Sequence, residues 1–238
     1  MAAASGPHGR LTLPHLVRIF QEAAMRNTTR LGISSPELIR THNSSWVLRR
    51  QTINCSRWPT LGEKVKVITA PSGFTRQLLT YRDFHLLDAR GATIATAVTE
   101  WLLLDLERRR PRSIPSHIAA LEADLAPASA HLKRPAGKVL PPSRAQLRRT
   151  AKVAFYQLDF NNHLTNPVFP ELMLEPLGGD FLSGHLPTSI DISFQKEARF
   201  GEELTAIAAA DPKGYRHAML RGEELLATMW TEWKLLES

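Results

Sequence analysis

A single cysteine, Cys55, stands in 238 residues. It excludes an intramolecular disulfide and any multi-cysteine metal site, and it lends no support to an oxidising compartment. No apolar run approaches the ~18 residues of a membrane helix; Trp101–Leu104 is closed at once by Asp105. The opening, Met1–Arg10, is small and polar and has no apolar signal-peptide core, so the expected address is cytoplasmic, with no membrane span. The G-x-S-x-G elbow, the G-x-x-x-x-G-K-[ST] phosphate loop and the G-x-G-x-x-G turn are all missing. Nine histidines include no H-x-H or H-E-x-x-H pair, and no metal or other cofactor is expected. Cys55 lies in the strand-like run Thr52-Ile53-Asn54-Cys55. A lone thiol there reads as a small buried apolar residue before it reads as a nucleophile.

What the chain has in excess is positive charge: 30 Lys and Arg against 23 Asp and Glu, a net +7. Leu106–Thr150 alone carries ten basic and three acidic residues, so the remainder balances at twenty of each. The same stretch has six prolines between Arg110 and Pro142. Proline fixes φ and lacks the amide donor, so the run reads as a linker crossing a surface. The expected division is residues 1–108, a basic linker 109–149, and 150–238.

The two flanking parts are alike. One opens with Leu11-Thr12-Leu13-Pro14 and a helical apolar pattern, the other with Leu164-Thr165-Asn166-Pro167 and another. In each, a Gly-Glu pair (Gly62-Glu63, Gly201-Glu202) introduces a strand-like run. Each closes on a near-copy, Thr99-Glu100-Trp101-Leu102-Leu103-Leu104 against Thr231-Glu232-Trp233-Lys234-Leu235-Leu236. Two copies are too few for a solenoid and suggest a pseudo-dimer within one chain. A helix followed by several strand-like runs in each copy predicts an α+β fold, an antiparallel sheet packed on the helix.

The one polar constellation is Asp159-Phe160-Asn161-Asn162-His163-Leu164-Thr165-Asn166, where a strand gives way to a helix. A histidine there suits proton transfer near neutral pH, and amides at a helix start can receive an oxyanion. An ordinary Asx-rich helix cap has the same composition, so the residues alone leave both readings open.

The pattern D-x-N-x-H-x-x-N before a helix, with a glutamate just upstream of the next Gly-Glu strand, resembles the acyl-acyl-carrier-protein (acyl-ACP) thioesterases. The first half agrees through Gly9-Arg10-Leu11-Thr12-Leu13-Pro14, Phe20-Gln21-Glu22-Ala23-Ala24, Trp46-Val47-Leu48, Pro59-Thr60-Leu61-Gly62-Glu63, Arg82-Asp83-Phe84-His85-Leu86 and Arg109-Arg110-Pro111-Arg112. The resemblance implies two tandem hotdog domains, each a long helix wrapped by a curved antiparallel β-sheet. It implies hydrolysis of fatty acyl-ACP to free fatty acid, with Asp159, Asn161, His163 and Glu197 at the family's catalytic positions. Glu197 is expected to activate water directly or through His163, with Asn161 orienting the water or carbonyl and Asp159 holding the turn. The first half is expected to supply the acyl pocket, with Leu16, Phe20 and Trp46 lining or flooring it. Three departures stand out: Ala198 replaces the cysteine of plant members, Thr165 replaces one asparagine of the H-V-N-N run, and few residues precede Gly9. The first domain is therefore expected to lack an edge strand unless the chain starts further upstream. Pro176 is expected to shorten or kink the second helix.

The cluster Arg108, Arg109, Arg110, Arg112 reads either as a solvated linker or as a dock for an acidic carrier and its phosphopantetheine. It lacks the interleaved aromatics of a nucleic-acid site, so no nucleic acid is expected. An acyl-CoA thioesterase, a non-hydrolytic acyl-binding or dehydratase-like hotdog protein, and assembly as a homodimer remain open.

Overall fold

The structure, a computed structural model, describes residues 4–75 and 78–236. Helix α1 (Leu13–Arg30) follows Thr12, and Pro14 occupies the first turn, where a missing amide costs no helical hydrogen bond. Its buried stripe is Leu13, Leu16, Val17, Phe20 and Ala24. After α2 (Ser35–His42) come β1 (Ser44–Cys55), β2 (Lys66–Thr75), β3 (Leu79–Leu87), β4 (Thr93–Asp105), the two-residue β5 (Arg110–Pro111) and α3 (Ser116–Ala119). The second half runs β6 (Leu147–Lys152), α4 (Val168–Leu174), α5 (Gly179–Gly184), β7 (His185–Phe194), β8 (Glu203–Asp211), β9 (Gly214–Arg221) and β10 (Glu224–Leu235).

All ten strands join one antiparallel sheet in the order β2-β3-β4-β1-β7-β10-β9-β8-β6, with β5 paired to β4. On either side of the β1–β7 seam the order is mirrored, so β1 to β4 correspond to β7 to β10. The seam pairs Arg50–Asn54 with residues 193–189. Matching details show the duplication. Trp101 Nε1 donates to Thr99 Oγ1 at 2.8 Å, and Trp233 Nε1 donates to Thr231 Oγ1 at the same distance. Gly62 and Gly201 hold φ of 85° and 78° in the two Gly-Glu turns, a region open mainly to glycine. In those turns Glu63 accepts from the Thr60 amide and Glu202 from the Arg199 amide.

The halves differ in two ways. β6 covers the β8 edge, whereas β2 is a free edge with no described strand beside it. A long helix in each half is found only as α1. In the second half α4 ends at Leu174, Pro176 allows one 3₁₀ turn, and Gly178 at φ 83° redirects the chain into α5.

The proline-rich connector lies along the sheet. Ile114 and Ile118 are buried with Ile33, Leu38 and Leu103. Further on, the Leu132 amide and Arg134 bond Asp83 on β3, Arg50 on β1 donates to the carbonyls of Ala136 and Gly137, and Thr228 on β10 donates to that of Val139. Asp83 and Thr228 alternate with the core residues Phe84, Ala227 and Met229, which places the connector on the sheet face opposite the helices. One core beneath the helices takes side chains from both halves, among them Phe20, Ile53 and Trp58 with Phe169, Met173 and Ile190. Among the described residues no helix is long and apolar enough to cross a membrane.

Candidate active site

The turn before α4 is organised by Asp159, whose Oδ1 accepts from the amides of Asn161 (2.8 Å) and His163 (3.1 Å). Asn162 sits at φ 60°, a left-handed conformation that asparagine tolerates better than most residues. The Leu164 amide donates to Ala198 O at 2.8 Å, so the turn is stitched to the loop that carries Glu197. His163 Nε2 and Glu197 Oε2 consequently face one another at 3.2 Å. The Asn161 side-chain amide engages no group among the described residues and is free to meet a ligand. Of the sequence-predicted catalytic set, the fold brings all four members to one place.

Two arginines fasten the other carboxylate oxygen. Arg109 Nη2 and Arg199 Nη2 donate to Glu197 Oε1 at 2.9 and 3.0 Å. Partial burial, the largest single influence on Glu197, works to raise its pKa. The Arg199 hydrogen bond, the His163 charge and Arg109 together outweigh it and hold the carboxyl below its usual range. Glu197 is thus an ionised group with both oxygens engaged, a partner for His163 more than a free base.

Most of the expected oxyanion amides are already engaged. Asn161, Asn162, His163, Leu164 and Thr165 all donate their N–H within the protein, and Val168 and Phe169 donate to Thr165 O and Asn166 O. The tight turn and the 3₁₀-like start of α4 consume the donors that a longer helix would leave free. The Asn161 side-chain amide and the Asn166 N–H are donors left unengaged on this turn.

Leu16 and Phe20, expected along an acyl pocket, instead belong wholly to the core, each with no solvent exposure. The helical repeat decides this. The neighbouring face of α1, carrying Gln21, Met25 and Thr28, borders a cavity of about 90 Å³ closed by Trp46, Tyr81 and Trp101. Trp46 therefore lines the cavity and is fixed by Nε1–H donating to Ile33 O at 2.8 Å. Gln21 links cavity to turn: Nε2 lies 3.5 Å from Thr165 Oγ1, while its buried Oε1 has no partner.

The arginine cluster divides. Arg112 is structural, donating to His42 O and Ser44 Oγ, and Arg109 turns to Glu197. Arg108 and Arg110 stay exposed. Cys55 is buried, and burial pushes its thiol up to about 12, which removes it from nucleophilic chemistry. The roles of Gln21 and Arg199 went unread. Gln21 is marked only by being polar on the helix face adjoining the core stripe, and Arg199 only by lying two residues after Glu197.

Residues 2–121 match the family model described as the acyl-ACP thioesterase N-terminal domain, and residues 141–234 match its C-terminal domain. The chain belongs to the acyl-ACP thioesterase family. An acyl-[acyl-carrier-protein] hydrolase of Cuphea viscosissima is 25% identical over 82% of this chain and 49% of its own length. A dodecanoyl-[acyl-carrier-protein] hydrolase of Cinnamomum camphora is 23% identical over 93% and 60%. The chain spans about half the length of the curated relatives it matches. The fold is that of a protein described as an oleoyl thioesterase from Lactobacillus plantarum (TM-score 0.87, 23% identity, 99% and 93% of the two chains). It is also that of a 12:0-ACP thioesterase from Umbellularia californica (TM-score 0.84, 18% identity, 99% and 95%). The architecture is therefore α+β with tandem hotdog halves.

Proposed function

We propose that the protein hydrolyses the thioester of fatty acyl-acyl carrier protein and releases the fatty acid. The observation that carries this reading is the His163–Glu197 pair beside an unengaged Asn161 amide, in a chain of this family. The His163 Nε2–H donates to Glu197, which leaves Nδ1 as the basic nitrogen. Nδ1 takes a proton from water, and the hydroxide attacks the thioester carbonyl carbon. Asn161 Nδ2 donates to the oxygen as it becomes an oxyanion. Ionised Glu197 stabilises the imidazolium. Collapse of the tetrahedral intermediate breaks the C–S bond, and the imidazolium returns its proton to the departing thiolate. Residues 1–108 with Ile118 of the connector supply the acyl cavity, residues 150–238 the reacting groups, and the exposed Arg108 and Arg110 at the start of the connector face an acidic carrier.

The test is hydrolysis of acyl-ACP and of the matched acyl-CoA by purified protein. The native protein should favour acyl-ACP. Glu197→Gln and His163→Ala should each lower kcat by about 10²–10⁴-fold while KM moves little. Near-normal turnover by both variants would remove the site assignment. Equal rates on both carriers would remove the carrier assignment, and binding without turnover would leave an acyl-binding protein.

A further inference from the structure

Four large aromatic side chains are exposed among the described residues, and all four belong to the segments that build the candidate site: Phe155 (65% exposed), Tyr156 (96%), Phe160 (58%) and Phe200 (63%). Phe155 and Tyr156 occupy the 3₁₀ turn just before Asp159. Phe160 stands between Asp159 and Asn161, and Phe200 follows Glu197 by three residues. Phe155 meets Tyr156 at 5.5 Å and Phe200 at 6.3 Å between ring centroids, both edge-on, so segments from either side of α4 converge on one patch. Leaving large rings in water gains nothing for folding, and a cluster of them marks a surface that meets a partner. Exposed cations border it: Lys152 lies against Gly201, next to Phe200, while Lys196 and Arg199 are paired with Glu224 and Glu197. No carboxylate other than Asp159 and Glu197 lies in residues 155–163 or 195–201.

We propose that Phe155, Tyr156, Phe160 and Phe200 form an aromatic lip on which an acidic acyl carrier protein docks. The proposal rests on the acyl-ACP reading above and names a surface that the arginine cluster alone does not supply. Arg109 and Arg112 are committed within the protein, so cations in the connector cannot carry the whole dock. A macromolecule that delivers a thioester to Asn161 and His163 must cover the rim of this turn. The rim offers aromatic faces beside the exposed Lys152, with Arg108 and Arg110 exposed after β4, which suits a negatively charged partner with apolar side chains at its centre. Aromatic anchors surrounded by polar contacts dominate protein interfaces of this kind.

The experiment replaces Phe155, Tyr156 and Phe200 by serine, singly and together, with Leu61→Ser and Leu140→Ser as exposed apolar controls elsewhere. Binding of holo-acyl carrier protein without an acyl group is measured by calorimetry, a readout independent of hydrolysis. The triple variant should bind at least tenfold more weakly and show a KM for acyl-ACP raised at least tenfold. Its kcat/KM on a small acyl-pantetheine thioester should fall less than twofold, and the controls should match native protein. Unchanged carrier binding by the triple variant overturns the proposal. So does its selective loss of sedimentation with phosphatidylglycerol vesicles, or of self-association, while carrier binding persists. Native protein that binds carrier through the lip but does not turn over acyl-ACP would defeat the hydrolase reading and leave the lip standing.

Discussion

Arg109 shows how much chemistry one side chain can carry across the molecule. It follows β4 with a left-handed φ of 53°, unusual for a residue with a Cβ, and that turn aims its guanidinium at Glu197, 88 residues away. Arg108, its neighbour, has the same charge and stays in solvent. Removing the Arg109 charge weakens the preference of Glu197 for its ionised form, so its pKa must rise. Arg109→Gln should therefore shift the acidic limb of the kcat–pH profile upward, with kcat reduced. Arg108→Gln should leave that limb in place and act on KM alone, lessening the pull on the carrier. A shared shift in both variants would assign the effect to overall charge. Asp159, Asn161, His163 and Glu197 were expected together through the family resemblance, since the turn alone reads equally as a helix cap, and the fold places them side by side. Arg109 could not be expected there, because its partner is set by the sheet and not by neighbours in the chain.

At the scale of elements, α4 is a seven-residue helix, too short to persist without tertiary support. The support is a directed hydrogen-bond chain. Trp233 Nε1–H donates to Thr231 Oγ1, the Thr231 hydroxyl donates to His217 Nε2 at 2.9 Å, and His217 Nδ1–H donates to Met173 O at 3.0 Å. It ties β10 through β9 to the end of α4. The site favours a neutral imidazole because it is buried and no carboxylate pairs with it. Burial drives the His217 pKa down from 6.5 to about 4. The unfolded chain then binds the proton first as pH falls. The stabilisation from His217 is whole above pH 6.5 and is lost progressively toward pH 4, amounting to roughly 3 kcal/mol. Urea midpoints across this range should fall more steeply for native protein than for His217→Gln, which should be less stable at pH 7; parallel slopes would refute the coupling. The helix-then-strands succession in each half and the break at Pro176 were legible, since Gly-Glu turns, closing Thr-Glu-Trp runs and proline act locally. The continuous sheet through β1 and β7 was not, because edge pairing between repeats leaves no local mark.

For the whole molecule, the question is what joins the halves. The connector holds the excess positive charge, yet among the described residues its hydrogen bonds stop at Val139 and resume at Gln146, which donates its amide to Ala208 O. The joining surface lies elsewhere. It comprises the β1–β7 ladder, Arg50 bound to both oxygens of Asp191 at 2.8 and 2.6 Å, Trp58 Nε1–H on Pro187 O at 2.7 Å, and the shared core. Burying apolar surface in one common core makes each half depend on the other, as in an obligate dimer, even though a chain link exists. Cutting between Pro142 and Ser143 should therefore leave assembly intact. Fragments 1–142 and 143–238 produced together should co-purify and unfold in one transition, a few degrees below the intact chain because chain connectivity is lost. Fragment 143–238 produced alone should be poorly folded, with β7 and the inner face of α4 uncovered. Pairing should also depend on the Arg50–Asp191 bridge. Asp191→Ala leaves the half-buried Arg50 guanidinium only the carbonyls of Ala136 and Gly137 and should weaken fragment association by about 1.5–3 kcal/mol, the loss of charged hydrogen bonds. Independent folding of 143–238, with its own cooperative transition, would show instead two self-sufficient domains tethered by the proline-rich segment.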